Sequence, residues 1–133
     1  MYRKKFKKVD VIILKKVEAI IRPQMLSNTI NGLNDIGVTA FTVTQVVGRG
    51  QQVDGSGVYR GRNYKVNLHP KVKMEIIVSD FMVEGVIKTV MNAAYTGEAG
   101  DGKIFVYPVM EAYNIRTKQI DTTITELAED GVE

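Results

Sequence analysis

The order in which apolar periodicity changes along the chain constrains the fold more than any other feature. Val17–Arg22 (VEAIIR) is a short apolar-rich run ended by Pro23, as a strand is. Leu26, Ile30 and Leu33 then recur at helical spacing, with Ser27 as the expected N-cap and Gly37 at the C-terminal stop. Gly32 weakens that helix. Val38–Val47 is dense in β-branched and aromatic residues, and Val72–Val78 alternates before becoming continuously apolar, so both predict strands. Ser79 is the expected cap of a second helix, in which Val83, Val86, Ile87, Val90, Met91 and Ala94 form one stripe and which Gly97 stops. Ile104–Val109 predicts another strand, and Ala112–Thr117 a short terminal one. The order β-α-β-β-α-β implies an α+β, ferredoxin-like fold, with an antiparallel sheet and both helices on one face. A chain of 133 residues has nothing left to cover the other face, so an oligomer is expected.

Charge and composition narrow the function. Residues 1–16 carry seven Lys and Arg against Asp10, a local +6, so the rest of the chain sums to −3 although the whole is +3. A net acidic body argues against a nucleic-acid face, and an RNA-binding ferredoxin-like domain would also need exposed aromatics, for which Phe41 and Phe105 are the candidates. Cysteine is absent and His69 is the one histidine, which removes thiolate chemistry and makes a zinc site or a Ser–His–Asp hydrolase a poor reading. The apolar run Val11–Leu14 is too short to span a membrane or to form a signal-peptide core, so a cytoplasmic protein is expected. Met74, Met82, Met91 and Met110 read as core filler.

Two glycine-rich segments stand out. Gly48–Gly61 (GRGQQVDGSGVYRG) holds five glycines and few apolar anchors, and residues 48–67 are expected to form a long mobile loop presenting Tyr59, Arg60, Arg62 and Tyr64 before the chain turns back through Leu68, His69 and Pro70. Such a loop is either a docking arm or plainly solvated. Thr96–Lys103 (TGEAGDGK) lies between a helix and a strand. Its glycines let backbone N–H groups approach an anion, and Lys103 adds a point charge. It is not a Walker A motif, because Ile104 and a strand follow the lysine. The alternative is an ordinary turn. A nucleotide-dependent enzyme would need a general base or paired metal carboxylates beside this loop; Glu98 and Asp101 do not make a convincing pair.

Four stretches carry a resemblance to the PII signal-transduction family: KKVEAIIRP (Lys15–Pro23), YRGRNY (Tyr59–Tyr64), HPKVKMEI (His69–Ile76) and TGEAGDGKIFVYPV (Thr96–Val109). The resemblance spans residues 15–117, leaving a basic extension at 1–14 and an acidic, frayed tail at 118–133. It implies a homotrimer with ATP or ADP in clefts between subunits. Nucleotide contacts would fall on Thr42, Gly50, Ile77, Gly100, Asp101, Gly102, Lys103 and, from a neighbouring subunit, Arg116. Asn114 stands where the family often has a second arginine. Gln52 matches the position that holds Mg²⁺ and 2-oxoglutarate beside ATP, Lys71 the one that pairs with the far carboxylate, and Tyr64 the modified tyrosine. The implied role is regulatory and non-enzymatic. Its implied targets are an ammonium transporter, a nitrogen-metabolism enzyme or a nitrogen regulator, with a membrane reached only through a transporter partner and no nucleic acid.

Overall fold

A computed structural model describes residues 9–50, 67–121 and 123–126. In chain order the elements are β1 (Val9–Ile12), β2 (Leu14–Ile21), α1 (Leu26–Asp35), β3 (Thr42–Gly48), β4 (His69–Ser79), α2 (Val83–Ala94), β5 (Gly102–Val109), β6 (Tyr113–Asn114), β7 (Gln119–Ile120) and β8 (Thr123–Glu126). The central sheet has the order β3-β4-β2-β5 and every neighbouring pair is antiparallel. Two helices lie on one side of it. This is the ferredoxin-like α+β architecture expected from the element order.

Alternation along the two central strands explains the packing. Val17, Ala19 and Ile21 of β2 and Val72, Met74 and Ile76 of β4 are buried toward the helices, where Leu33, Val86, Val90 and Ala94 meet them. Each fully buried side chain of this size is worth about 1.5–3 kcal/mol, so this layer dominates stability. Of the α2 stripe, Met91 escapes the core, and Met110 at the end of β5 is 82% exposed. Only Met74 and Met82 serve as the filler expected of all four methionines.

Helix starts differ from expectation. A 3-10 turn over Pro23–Met25 precedes α1, so Ser27 already lies inside the helix and Met25 is the capping position, without a side-chain bond. Pro23 suits the first turn because it has no N–H to leave unsatisfied. Ser79 likewise makes no capping bond and precedes a 3-10 turn over Asp80–Met82. The turn expected at Leu68–Pro70 is instead the start of β4, where Pro70 pairs with Val47. β2 reaches β4 only from Val72 onward, so Pro70 has a strand on one side alone. Of the expected loop at 48–67, residues 51–66 lie outside the described residues.

Gly32 has a packing reason. A Cβ there would stand 2.9 Å from Thr89 Cγ2 on the facing helix. Replacing Gly32 by Ala gains about 1 kcal/mol of helix propensity and spends a similar amount pushing the stiff Thr89 side chain off its rotamer. We expect Gly32→Ala to leave thermal stability nearly unchanged, and the same change in a Thr89→Ser background, which lacks that methyl, to raise it by about 1 kcal/mol in a denaturant titration. Equal effects in both backgrounds would show that the two helices do not touch there.

Beyond the sheet, β6 and β7 form a small hairpin, and β1 pairs with β8, Val9 opposite Glu126. Segments expected as a separate extension and a frayed tail thus meet in a ribbon. No helix among the described residues is long and apolar enough to cross a membrane.

Candidate functional site

The side of the sheet away from the helices is arranged in rows fixed by strand register. Lys103, Ile20, Lys73 and Thr44 form one row; Phe105, Glu18, Glu75 and Thr42 the next; Tyr107, Lys16 and Ile77 the third. Ile77, Phe105 and Tyr107 are 46%, 41% and 42% exposed, because neither helix covers this side. In its middle, Lys16 Nζ lies 3.1 Å from Glu75 Oε2 and 3.4 Å from Glu18 Oε1, and 4.6 Å from the Tyr107 ring centre. Those carboxylates raise the Lys16 pKa, the Glu75 hydrogen bond foremost.

The glycine-rich loop sits at one end of this face. Gly97, Gly100 and Gly102 all have positive φ, at 90°, 103° and 113°. Asp101 closes the loop on itself. Its Oδ2 accepts from Thr96 N–H at 2.8 Å and Gly97 N–H at 2.9 Å, and its Oδ1 accepts from the Thr96 hydroxyl and from Arg22 Nε at 3.1 Å. Thr96 Oγ1 in turn accepts from Glu98 N–H at 3.1 Å. These donors, the Thr96 hydroxyl first, hold the Asp101 carboxyl far below its ordinary range. The stabilisation is present in full above the ordinary carboxylate pKa and is lost only as pH falls below it toward the depressed folded value. Because the Thr96, Gly97 and Glu98 N–H groups are used inside the loop, the N–H groups left to meet an anion lie in its second half.

Lys71 lies on the same face as Lys73 and beside this loop. It is buried, and its Nζ donates to Gly100 O at 2.5 Å. Burial lowers its pKa, the Arg22 charge adds to that, and Asp101 partly offsets both. Lys103 is exposed and makes no ion pair among the described residues.

The fold therefore brings Lys71, Gly100, Asp101, Gly102 and Lys103 to one end of a face that also carries Thr42 and Ile77. Gly50 is exposed two residues beyond β3, at the loop end of the sheet. Gln52 and Tyr64 lie outside the described residues. Arg116 makes no hydrogen bond or ion pair with the loop among the described residues. Strand β5 carries the chain roughly 20 Å away from Lys103 before the β6–β7 hairpin begins, and Arg116 is exposed in that hairpin's turn. Asn114 shapes the turn: its Oδ1 accepts from Thr117 N–H at 3.0 Å and its carbonyl from Lys118 N–H at 2.7 Å, with Lys118 at φ 61°. Sequence reasoning missed Arg22, which holds Ala99 O at 2.8 Å as well as Asp101. Its only signal was an arginine closing a strand in one of the four matching stretches.

A sequence profile described as "Nitrogen regulatory protein P-II" matches residues 14–119. The chain is 49% identical over 104 residues to the nitrogen regulatory protein P-II of Pasteurella multocida, covering 78% of this chain and 93% of the relative. It is 46% identical over 107 residues to nitrogen regulatory protein P-II 2 of Methanothermobacter thermautotrophicus, covering 80% and 93%. Among solved structures, PII of Arabidopsis thaliana bound to citrate is similar with a TM-score of 0.66 at 38% identity, covering 80% of this chain and 84% of that one.

Proposed function

The chain belongs to the nitrogen regulatory protein P-II family, and on that premise we propose that it is a cytoplasmic signalling protein that binds ATP or ADP in clefts between the subunits of a homotrimer. The observation that carries the reading is the meeting of the loop from Gly100 to Lys103 and Lys71 with the half-exposed face bearing Thr42 and Ile77. Phosphates need cations and N–H groups, and a base needs a flat apolar surface; this face offers both at adjoining places. Its uncovered apolar residues favour burial against other copies of the chain. Arg116, at the far end of β5, supports a shared cleft: it serves as a phosphate partner for the neighbouring subunit and not for its own loop.

Mg²⁺ fits this set through the nucleotide. Among the described residues there is no group of three His, Cys, Asp or Glu that could hold a metal, so phosphate oxygens with Gln52 would supply the ligands such a hard ion takes. 2-Oxoglutarate would join them, with Lys71 on its distal carboxylate. That a solved relative is bound to citrate supports a site for a small carboxylate in this chain. The role is regulation and not turnover: of the loop's two carboxylates, Glu98 and Asp101, Asp101 is committed to four donors, which leaves no pair to act as acid and base. The loop at residues 48–67, with Tyr64 as a modification site, would meet an ammonium transporter, a nitrogen-metabolism enzyme or a nitrogen regulator, and bound ligands would shift it by their differential affinity for its states.

Titration calorimetry tests the reading. We expect ATP and ADP to bind, and 2-oxoglutarate to bind with Mg²⁺–ATP and not with ADP. Lys71→Ala should abolish the 2-oxoglutarate signal while ATP weakens by about tenfold at most, the upper value of one hydrogen bond to Gly100 O. ATP binding with no response to millimolar 2-oxoglutarate would leave a sensor of the ATP/ADP balance alone.

A further inference from the structure

We propose that Arg22 is the positioning residue of the phosphate loop, acting on nucleotide through the loop without touching it; the proposal rests on the nucleotide reading above. Arg22 follows the last residue of β2, and 79 positions separate it from Asp101. Its Nε donates to Asp101 Oδ1 at 3.1 Å and its Nη2 to Ala99 O at 2.8 Å. One planar guanidinium thus spans the residues on either side of Gly100, whose own carbonyl takes Lys71 Nζ. Three consecutive loop residues are held by cations from the end of β2 and the start of β4. Both strands are central in the sheet, so the anchor is rigid.

Charge explains why Arg22 acts behind the ligand. Its side chain is more buried than that of Asp101, 17% against 24% exposed, and the two are ion-paired. The Arg22 charge is already paired with Asp101 and its fork is turned onto the loop's own carboxylate and carbonyl, whereas Lys103 has no such commitment. Holding the loop in advance has a direct consequence for affinity. A segment with glycines at 97, 100 and 102 is costly to order, and a ligand that meets it already ordered binds more tightly. Arginine suits the task because its fork reaches two acceptors at fixed spacing; a lysine reaches one.

The test measures ATP, ADP and adenosine affinity by calorimetry on the full chain, with thermal melts to confirm folding, for Arg22→Gln, Arg22→Lys, Lys103→Ala and the double variant Arg22→Gln with Lys103→Ala. Arg22→Gln is expected to weaken ATP about tenfold and Arg22→Lys by less, with adenosine unaffected. The double variant should bind ATP little more weakly than Lys103→Ala alone, because both changes act through one loop. Losses that multiply in the double variant would show Arg22 touching phosphate directly and overturn the proposal, as would parent-like ATP binding by Arg22→Gln. Should Arg22→Gln fail to fold, Thr96→Val decides. It removes the hydroxyl that ties Asp101 to Glu98 N–H, and unchanged ATP affinity there overturns the proposal. If Lys103→Ala also binds ATP like the parent, the nucleotide reading itself fails and this inference falls with it.

Discussion

Gly102→Ala is expected to leave most of the chain unfolded at physiological temperature. An ideal Cβ at Gly102 would lie 1.8 Å from Ile20 O, 2.9 Å from Ile20 C and 3.2 Å from Ile21 Cα. All three are backbone atoms, so no side chain can swing away. Relief would require β5 to separate from β2 where Gly102 faces Ile21, and β2 is fixed on its other side by eight paired positions to β4. The φ of 113° adds a penalty that any L side chain meets. Together these should exceed about 4 kcal/mol, a large part of the 5–15 kcal/mol that holds a domain of this size. Gly37→Ala is the control. Its φ of 86° carries a similar backbone penalty, but nothing lies within 4 Å of its Cβ, so it should cost only about 1–2 kcal/mol. The difference between the two variants in a denaturant titration isolates the clash with Ile20. Equal midpoints would mean that β5 does not pack against β2 at this point.

That clash also marks the limit of what the chain discloses unfolded. The order of elements was legible because periodicity is local: the α2 stripe and the β-branched run at Val38–Val47 each announce their type within a dozen residues. Gly37 was legible as a helix stop for the same reason, and the loop Thr96–Lys103 by its glycine density. What Gly102 does was not legible, since its neighbour Ile20 is more than eighty positions away. The Arg22–Asp101 pair was hidden likewise, and only the meeting of β2 and β5 makes it. Capping failed as a signal where a 3-10 turn started the helix early, displacing Ser27 and Ser79. Pro70 reads as a break in any local scheme, and sits in a strand because its place on β4 lies beyond the reach of β2. Exposure of Met91 and Met110 depends on where α2 and β5 end relative to the sheet, which residue type cannot tell.

Lys103→Ala and Arg116→Ala are each expected to weaken ATP by about 10- to 150-fold, the worth of one charge-assisted contact of 1.5–3 kcal/mol. Arg116 should be at the upper end, because Asn114 brings no second charge and is occupied in shaping its turn. The sharper expectation comes from mixing the two. Within one chain Lys103 opens β5 and Arg116 follows its far end, so a cleft that uses both must draw them from different subunits. In the proposed homotrimer, co-expression of the two variants would yield mixed trimers in which one subunit's intact Lys103 faces a neighbour's intact Arg116. Each mixed trimer regains one complete cleft, and random assembly at equal ratio restores about a quarter of all clefts. Purified homotrimers of either variant contain none. Calorimetry on the co-expressed sample should therefore show a tight class of ATP sites absent from both parents. If binding were completed within a single chain, every subunit would stay defective, and no tight class would emerge at any mixing ratio.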